Sequence, residues 1–104
     1  MIIQFNTDKN IDGKENLEQF VSEKTSNVLR HYVNRVSRVE IFLSDENADK
    51  SGPDDIQCKI EARVEHKQPV IVTSKGGSKE EALDEALSKM KATLASVIGK
   101  MKKR

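Results

Sequence analysis

Positively charged side chains are the residues of this sequence best placed to do chemistry, and the chemistry they suit is neutralisation of phosphate. Residues 24 to 38 carry Lys24, Arg30, Arg35 and Arg38 with no acid, a local charge of +4. Residues 86 to 104 carry Lys89, Lys91, Lys100, Lys102, Lys103 and Arg104, again with no acid, a local charge of +6. Residues 45 to 55 oppose them, with Asp45, Glu46, Asp49, Asp54 and Asp55 against Lys50 alone, a charge of −4. The chain as a whole stands at +1, so the segregation of charge, not its total, points to phosphate contacts with a nucleic acid. Two local readings compete with it. Lysines in a final helical turn also complement the helix dipole and solubilise a tail, which is the other account of Lys100 to Arg104. Lys24 falls inside an apolar stripe, where a lysine can lay its methylenes along the core edge and hold its ammonium in water.

Other chemistries find less to work with. His31 and His66 lie far apart, and no His, Cys or carboxylate group has zinc-binding spacing, so no metal is expected. Cys58 shares a strand face with Ile56 and Ile60, which suits a small buried apolar residue better than a nucleophile. Asp45, Asn47 and Asp49 imitate the opening of a calcium loop, but Lys50 stands where that loop needs Gly and Ile56 where it needs Glu. Gly76 and Gly77 before Ser78 offer backbone amides to an anion at a helix start, although a turn into the helix explains them more simply. Glu80, Glu81, Asp84 and Glu85 occupy the first turns of the same helix, where they complement its dipole rather than form a catalytic pair. The expectation is a protein with no catalytic residues, no cofactor and no small-molecule substrate.

The elements that must position these charges follow from periodicity. Met1 to Asn6 reads as a strand with Ile3 and Phe5 on one side, and Asp8 to Gly13 turns the chain. From about Glu15 to Val33, Leu17, Phe20, Val21, Val28 and Tyr32 recur at helical spacing. A second strand covers Val36 to Ser44. A third, Ile56 to Glu65, alternates most strictly, with Ile56, Cys58, Ile60, Ala62 and Val64 on one face. The polar stretch from Asp45 to Asp55 predicts a long, mobile connection between them. His66 to Pro69 turns into a fourth strand, Val70 to Thr73. Ser78 with Glu81 forms a capping-box pattern before a long helix carrying Leu83, Leu87, Met90, Leu94, Val97 or Ile98, and Met101. Strand, helix, three strands, helix implies an α+β fold: an antiparallel meander whose apolar face is covered by two helices. Packed side by side there, the helices would merge the two basic segments into one surface.

Size and composition set the bounds. A chain of 104 residues, 34% charged and 36% apolar, holds one modest domain over residues 1–104, with a basic tail from about residue 99. Phe5, Phe20, Phe42 and Tyr32 are its only aromatics, so nucleotide capture by stacking is not advertised and nucleic-acid contact is expected to be ionic. No apolar run approaches the roughly 20 residues of a membrane span, no signal peptide opens the chain, and the single cysteine suits a reducing compartment. A cytoplasmic protein without membrane contact is the expectation.

The order of elements, with Leu17, Phe20, Val21 and Lys24, then Arg35, Val36, Val39, Ile41 and Leu43, then Ala82, Leu83, Asp84, Lys89, Met90 and Leu94, resembles the ribosome hibernation-promoting and ribosome-associated inhibitor family of bacteria. The resemblance covers most of the chain. It implies a β-α-β-β-β-α fold, a four-stranded sheet with two helices packed on one face, similar to double-stranded RNA-binding domains. It also implies a partner, the small ribosomal subunit and its ribosomal RNA, and a task, silencing translation by idle ribosomes under starvation stress. Lys24, Arg35 and Lys89 are the contacts it transfers; Arg30, Arg38, Lys91 and Lys100 join them from the charge distribution. Asn27, Ala92, Ser96 and Ile98 stand where the family carries further bases, and Lys91, Lys100 and the terminal run are available to compensate. The chain stops after its second helix, so pairing of ribosomes through a further domain is not expected. Two alternatives stay open: binding of free duplex RNA, and a protein-interaction module using the 45 to 55 segment or the open sheet face.

Overall fold

Alternation of side chains builds the sheet. Ile56, Cys58, Ile60, Ala62 and Val64 are all buried, while Lys59 and Arg63 between them are exposed, so one strand face must be covered and the other left to water. The computed structural model describes residues 1–8, 11, 14–45 and 56–102, without the side chains of residues 14, 15, 101 and 102. Its elements are β1 (Ile2–Thr7), α1 (Lys14–Val28), a 3-10 turn (Arg30–Tyr32), β2 (Val36–Asp45), β3 (Ile56–Val64), β4 (Val70–Gly76) and α2 (Lys79–Lys102). The strands lie in the order β1-β2-β3-β4, with β1 parallel to β2 and the other neighbours antiparallel. A parallel pair needs a crossover, and α1 supplies it. The expected β-α-β-β-β-α architecture is the one observed.

Three cross-strand rows form the floor of the core: Ile3–Val39–Ala62–Val70, Phe5–Ile41–Ile60–Val72, and Thr7–Leu43–Cys58–Ser74. The helices roof it with Leu17, Val21 and Leu29 from α1 and its end, and with Leu83, Leu87, Met90, Leu94 and Ile98 from α2. Each fully buried Leu or Ile contributes about 1.5–3 kcal/mol of transfer free energy. A register irregularity between Val36 and Arg38 lets Val36 and Val39, three residues apart, both face inward.

Topology sets the helix directions. β1, β2 and β4 point the same way, α1 returns from the end of β1 to the start of β2, and α2 runs back along β4, so the two helices are parallel to one another. α1 is much the shorter, so its end, just before Arg30, lies beside the middle of α2 at Lys91.

Several boundaries differ from expectation for local reasons. The α-helix ends at Val28, not Val33. Tyr32 N–H to Leu29 carbonyl (2.9 Å) and Arg35 N–H to Tyr32 carbonyl (2.9 Å) are three-residue bonds that tighten the chain and carry Leu29, absent from the predicted stripe, into the core. β4 continues through Ser74, Lys75 and Gly76, because Ile56 and Gln57 still offer partners there. Ser78 Oγ accepts from Glu81 N–H at 3.1 Å as the capping box requires, but the Glu81 carboxylate reaches back to Gly77 N–H (3.1 Å) instead of the cap residue. His66 closes the β3–β4 turn at φ 64°, with Lys67 N–H donating to Val64 carbonyl (3.1 Å). In the turn after β1, the Asp8 carboxylate accepts from Asp45 N–H at 3.1 Å, tying the ends of β1 and β2 together. The calcium-like run, the acidic connection beyond Asp45, the remainder of the Asp8 to Gly13 turn and the terminal Lys103 and Arg104 lie outside the described residues.

Candidate nucleic-acid interface

Charge is graded along α2 but not along α1. α1 opens with Lys14, sets Lys24 directly after Glu23 and has no base in its last turn. In α2, Glu80, Glu81, Asp84 and Glu85 occupy the first turns and Lys89, Lys91 and Lys100 the remainder. The gradient of α2 matches its helix dipole. Because the helices are parallel, the acid-free stretch that follows Glu23 runs on beside the basic middle of α2.

Arg30, exposed in the 3-10 turn, and Lys91, exposed on α2, meet across a surface cavity of about 250 Å³ lined by Asn27, Val28, Arg30, His31 and Lys91. No acid lines it. Two cations and no carboxylate make it a positively charged depression. Arg35 stands close by, half-buried at the start of β2, its carbonyl accepting from Glu65 N–H at 2.8 Å. It borders a separate depression of about 350 Å³ shared with Met1, Asn34 and Glu65.

The other candidates are held elsewhere, so the expected single wall of seven cations is divided. Lys24 Nζ pairs with the Asp84 carboxylate and lies 5.8 Å from the centre of the Phe20 ring. Its place inside the apolar stripe is explained by the seam between the helices, where an acid on α2 receives its charge. Lys89 and Lys91 are two positions apart, about 200° around the helix, and so leave on different flanks. Lys91 faces α1, whereas Lys89 Nζ donates to the Thr73 carbonyl of β4 at 3.0 Å. Lys100 is eleven positions beyond Lys89, about three whole turns, which puts it on the outer flank too. Arg38 alternates with buried Val39 and therefore sits on the open sheet face, where it bonds Gln4 Oε1 and approaches Glu40 Oε1 at 3.0 Å.

His31 was visible in the sequence only as a possible metal ligand; its place beside Arg30 depends on the 3-10 turn, which helical periodicity does not show. Among the described residues no His, Cys, Asp or Glu cluster has the form of a metal site. Cys58 is fully buried, and burial pushes its thiol up to about 12. The Gly77 amide, considered above as an anion donor, is taken by the Glu81 carboxylate. No described helix is long and apolar enough to cross a membrane.

Comparison with known proteins places this arrangement. A family profile described as sigma 54 modulation protein / S30EA ribosomal protein matches residues 5–102. The chain belongs to that family. Membership in the sigma 54 modulation / S30EA family agrees with the resemblance to ribosome hibernation proteins drawn from the sequence. Two solved structures share the fold of this S30EA family chain. The N-terminal domain of Protein Y from Thermus thermophilus has a TM-score of 0.73 at 16% identity, covering 93% of this chain and 99% of that one. A ribosomal subunit interface protein from Coxiella burnetii has a TM-score of 0.71 at 12% identity, covering 95% of this chain and 99% of that one. No curated protein sequence matches it.

Proposed function

We propose that this chain is a ribosome-associated protein that binds the small ribosomal subunit through ribosomal RNA and silences translation, acting by occupancy and not by catalysis. The observation that carries the reading is the meeting of Arg30, His31 and Lys91 where the chain leaves α1 beside the middle of α2, with Arg35 close by at the start of β2. Membership in the S30EA family and the names of the two similar structures support a ribosomal partner. Lys100 and Lys89 extend the positive field along the outer flank of α2, while Lys24, already bound to Asp84, holds the helices together more than it reaches for RNA. A cytoplasmic protein follows from that partner.

Gradient sedimentation with purified small subunits tests this. Wild-type protein is expected to migrate with the subunit at low salt and to be released as salt rises, because counterion release weakens with ionic strength. Arg30→Glu with Lys91→Glu should abolish co-migration while leaving the fold intact, and should remove inhibition in a cell-free translation assay. Absence of the wild type from subunit fractions at low salt would overturn the proposal. Tighter binding to naked duplex RNA than to the subunit would favour the free-RNA alternative.

A further inference from the structure

The open face of the sheet has a chemistry of its own. Opposite the core rows, the outward rows read Ile2–Arg38–Arg63, Gln4–Glu40–Glu61–Ile71, Asn6–Phe42–Lys59–Thr73, and Ser44–Gln57–Lys75. Lys59, Arg63 and Lys75 are exposed, and none of the ion pairs among the described residues uses them. Phe42 keeps 41% of its surface in water on a sheet face that none of the described elements covers. Beside its ring lies a shallow cavity of about 360 Å³, lined by Asn6, Glu40, Phe42, Gln57, Lys59 and Glu61.

These groups together favour one kind of occupant. A ring offers a stacking platform, which any nucleobase accepts. Carboxylates repel phosphate, so the Glu40–Glu61 pair tells against a plain polyanion site. Carboxylates accept hydrogen bonds from the exocyclic amino groups of cytosine and adenine, and they are repelled by the carbonyl that uracil presents at the same edge. Arg38 steadies Glu40 from one side, at 3.0 Å. Lys59, opposite Phe42 in the register, and Lys75 on the neighbouring strand then stand around the stacked base, where a backbone phosphate would lie. A duplex keeps its bases stacked and cannot present one to a sheet; a single strand can.

We propose that the open sheet face is a single-stranded RNA site: a base bearing an amino group stacks on Phe42 with its edge toward Glu40 and Glu61, and flanking phosphates are neutralised by Lys59, Lys75 and Arg63. This site is on the face away from Arg30 and Lys91. The domain therefore has two nucleic-acid surfaces of different preference, and the second does not depend on the ribosomal reading of the first.

Fluorescence anisotropy with labelled oligoribonucleotides of about 12 nucleotides tests it, using oligocytidine, oligouridine and a duplex of equal length. Oligocytidine is expected to bind at least about fivefold more tightly than oligouridine. Phe42→Ala, at a surface position that leaves the core intact, should weaken oligocytidine binding about tenfold, the lower range of a lost base–aromatic stack. Lys59→Glu should weaken both single strands. Arg30→Glu with Lys91→Glu should leave the cytidine preference unchanged. Equal binding of all three RNAs, unaffected by Phe42→Ala, would show non-specific ionic attraction and overturn the site, as would no binding of oligocytidine at low salt. Loss of subunit co-sedimentation in the wild type with this preference preserved would instead sink only the ribosomal proposal.

Discussion

The ammonium of Lys24, near the end of α1, is bound to the carboxylate of Asp84, near the start of α2, and lies above the Phe20 ring of its own helix. One cation thereby joins the two helices across their seam. Both side chains keep partial solvent access, so the pair is worth about 0.2–1 kcal/mol and the ring contact a similar amount. In a double-mutant cycle of Lys24→Ala and Asp84→Ala followed by urea unfolding, a coupling of that size is expected, shrinking as salt rises. A coupling of zero at low salt would dismiss the latch.

The same relationship predicts a ranking among single cations. Lys24→Ala and Lys89→Ala remove side chains already engaged within the fold, whereas Arg30→Ala and Lys91→Ala remove exposed ones that take part in none of the ion pairs among the described residues. In small-subunit binding, each of the latter two is expected to lower the salt dependence by about one unit of slope. The former two should change it less. An equal or larger effect from Lys24→Ala would mean that Asp84 releases it on binding.

Gly76 owes its identity to the approach of α2. A Cβ there would stand 2.7 Å from the Ala82 nitrogen and 2.9 Å from the Glu81 Cβ, whereas one at Gly77 would meet nothing nearer than 3.5 Å. Gly76→Ala is expected to cost about 1–3 kcal/mol in urea unfolding through overpacking. Gly77→Ala should cost much less.

Cys58 has a pH signature. The folded protein holds the thiol proton to about 12, against an ordinary 9.0, so between those values the unfolded chain has released a proton that the native state keeps. Stability from this group is complete below about pH 9 and declines as pH rises through that window. Comparing urea midpoints at about pH 8 and about pH 10.5, wild type should lose more than Cys58→Ala, the difference cancelling other titrations. At neutral pH a thiol reagent should react with the native protein only as fast as it opens.

Thr25 is fully buried on α1, and its hydroxyl has no hydrogen-bond partner in the described protein. Thr25→Val, which keeps the shape and removes the unsatisfied group, is expected to raise stability by about 1 kcal/mol. Destabilisation of that size would show that the hydroxyl has a partner.

Much of the architecture was legible in the sequence because periodicity is a local property. The alternation from Ile56 to Val64, the fours and threes from Leu83 to Ile98 and the Ser78 cap each specify an element from its neighbours alone. The end of α1 and the length of β4 were less legible. Leu29 is buried only because the 3-10 turn rotates it inward, and Ser74 to Gly76 stay extended because β3 runs beside them.

The segregation of charge, an acid-free basic run from Lys24 to Arg38 and acids before bases along α2, belongs to the sequence by itself, since it can be counted along the chain. Which cations share a surface was decided by the tertiary structure. Strand direction made the helices parallel and brought Arg30 to Lys91, while the sheet's two-residue period sent Arg38 to the opposite face beside Gln4 and Glu40. Helical rotation parted Lys89 from Lys91, and the seam between helices gave Lys24 to Asp84. Proximity between residues dozens of positions apart depends on how elements are packed, and no spacing read along one segment contains that information.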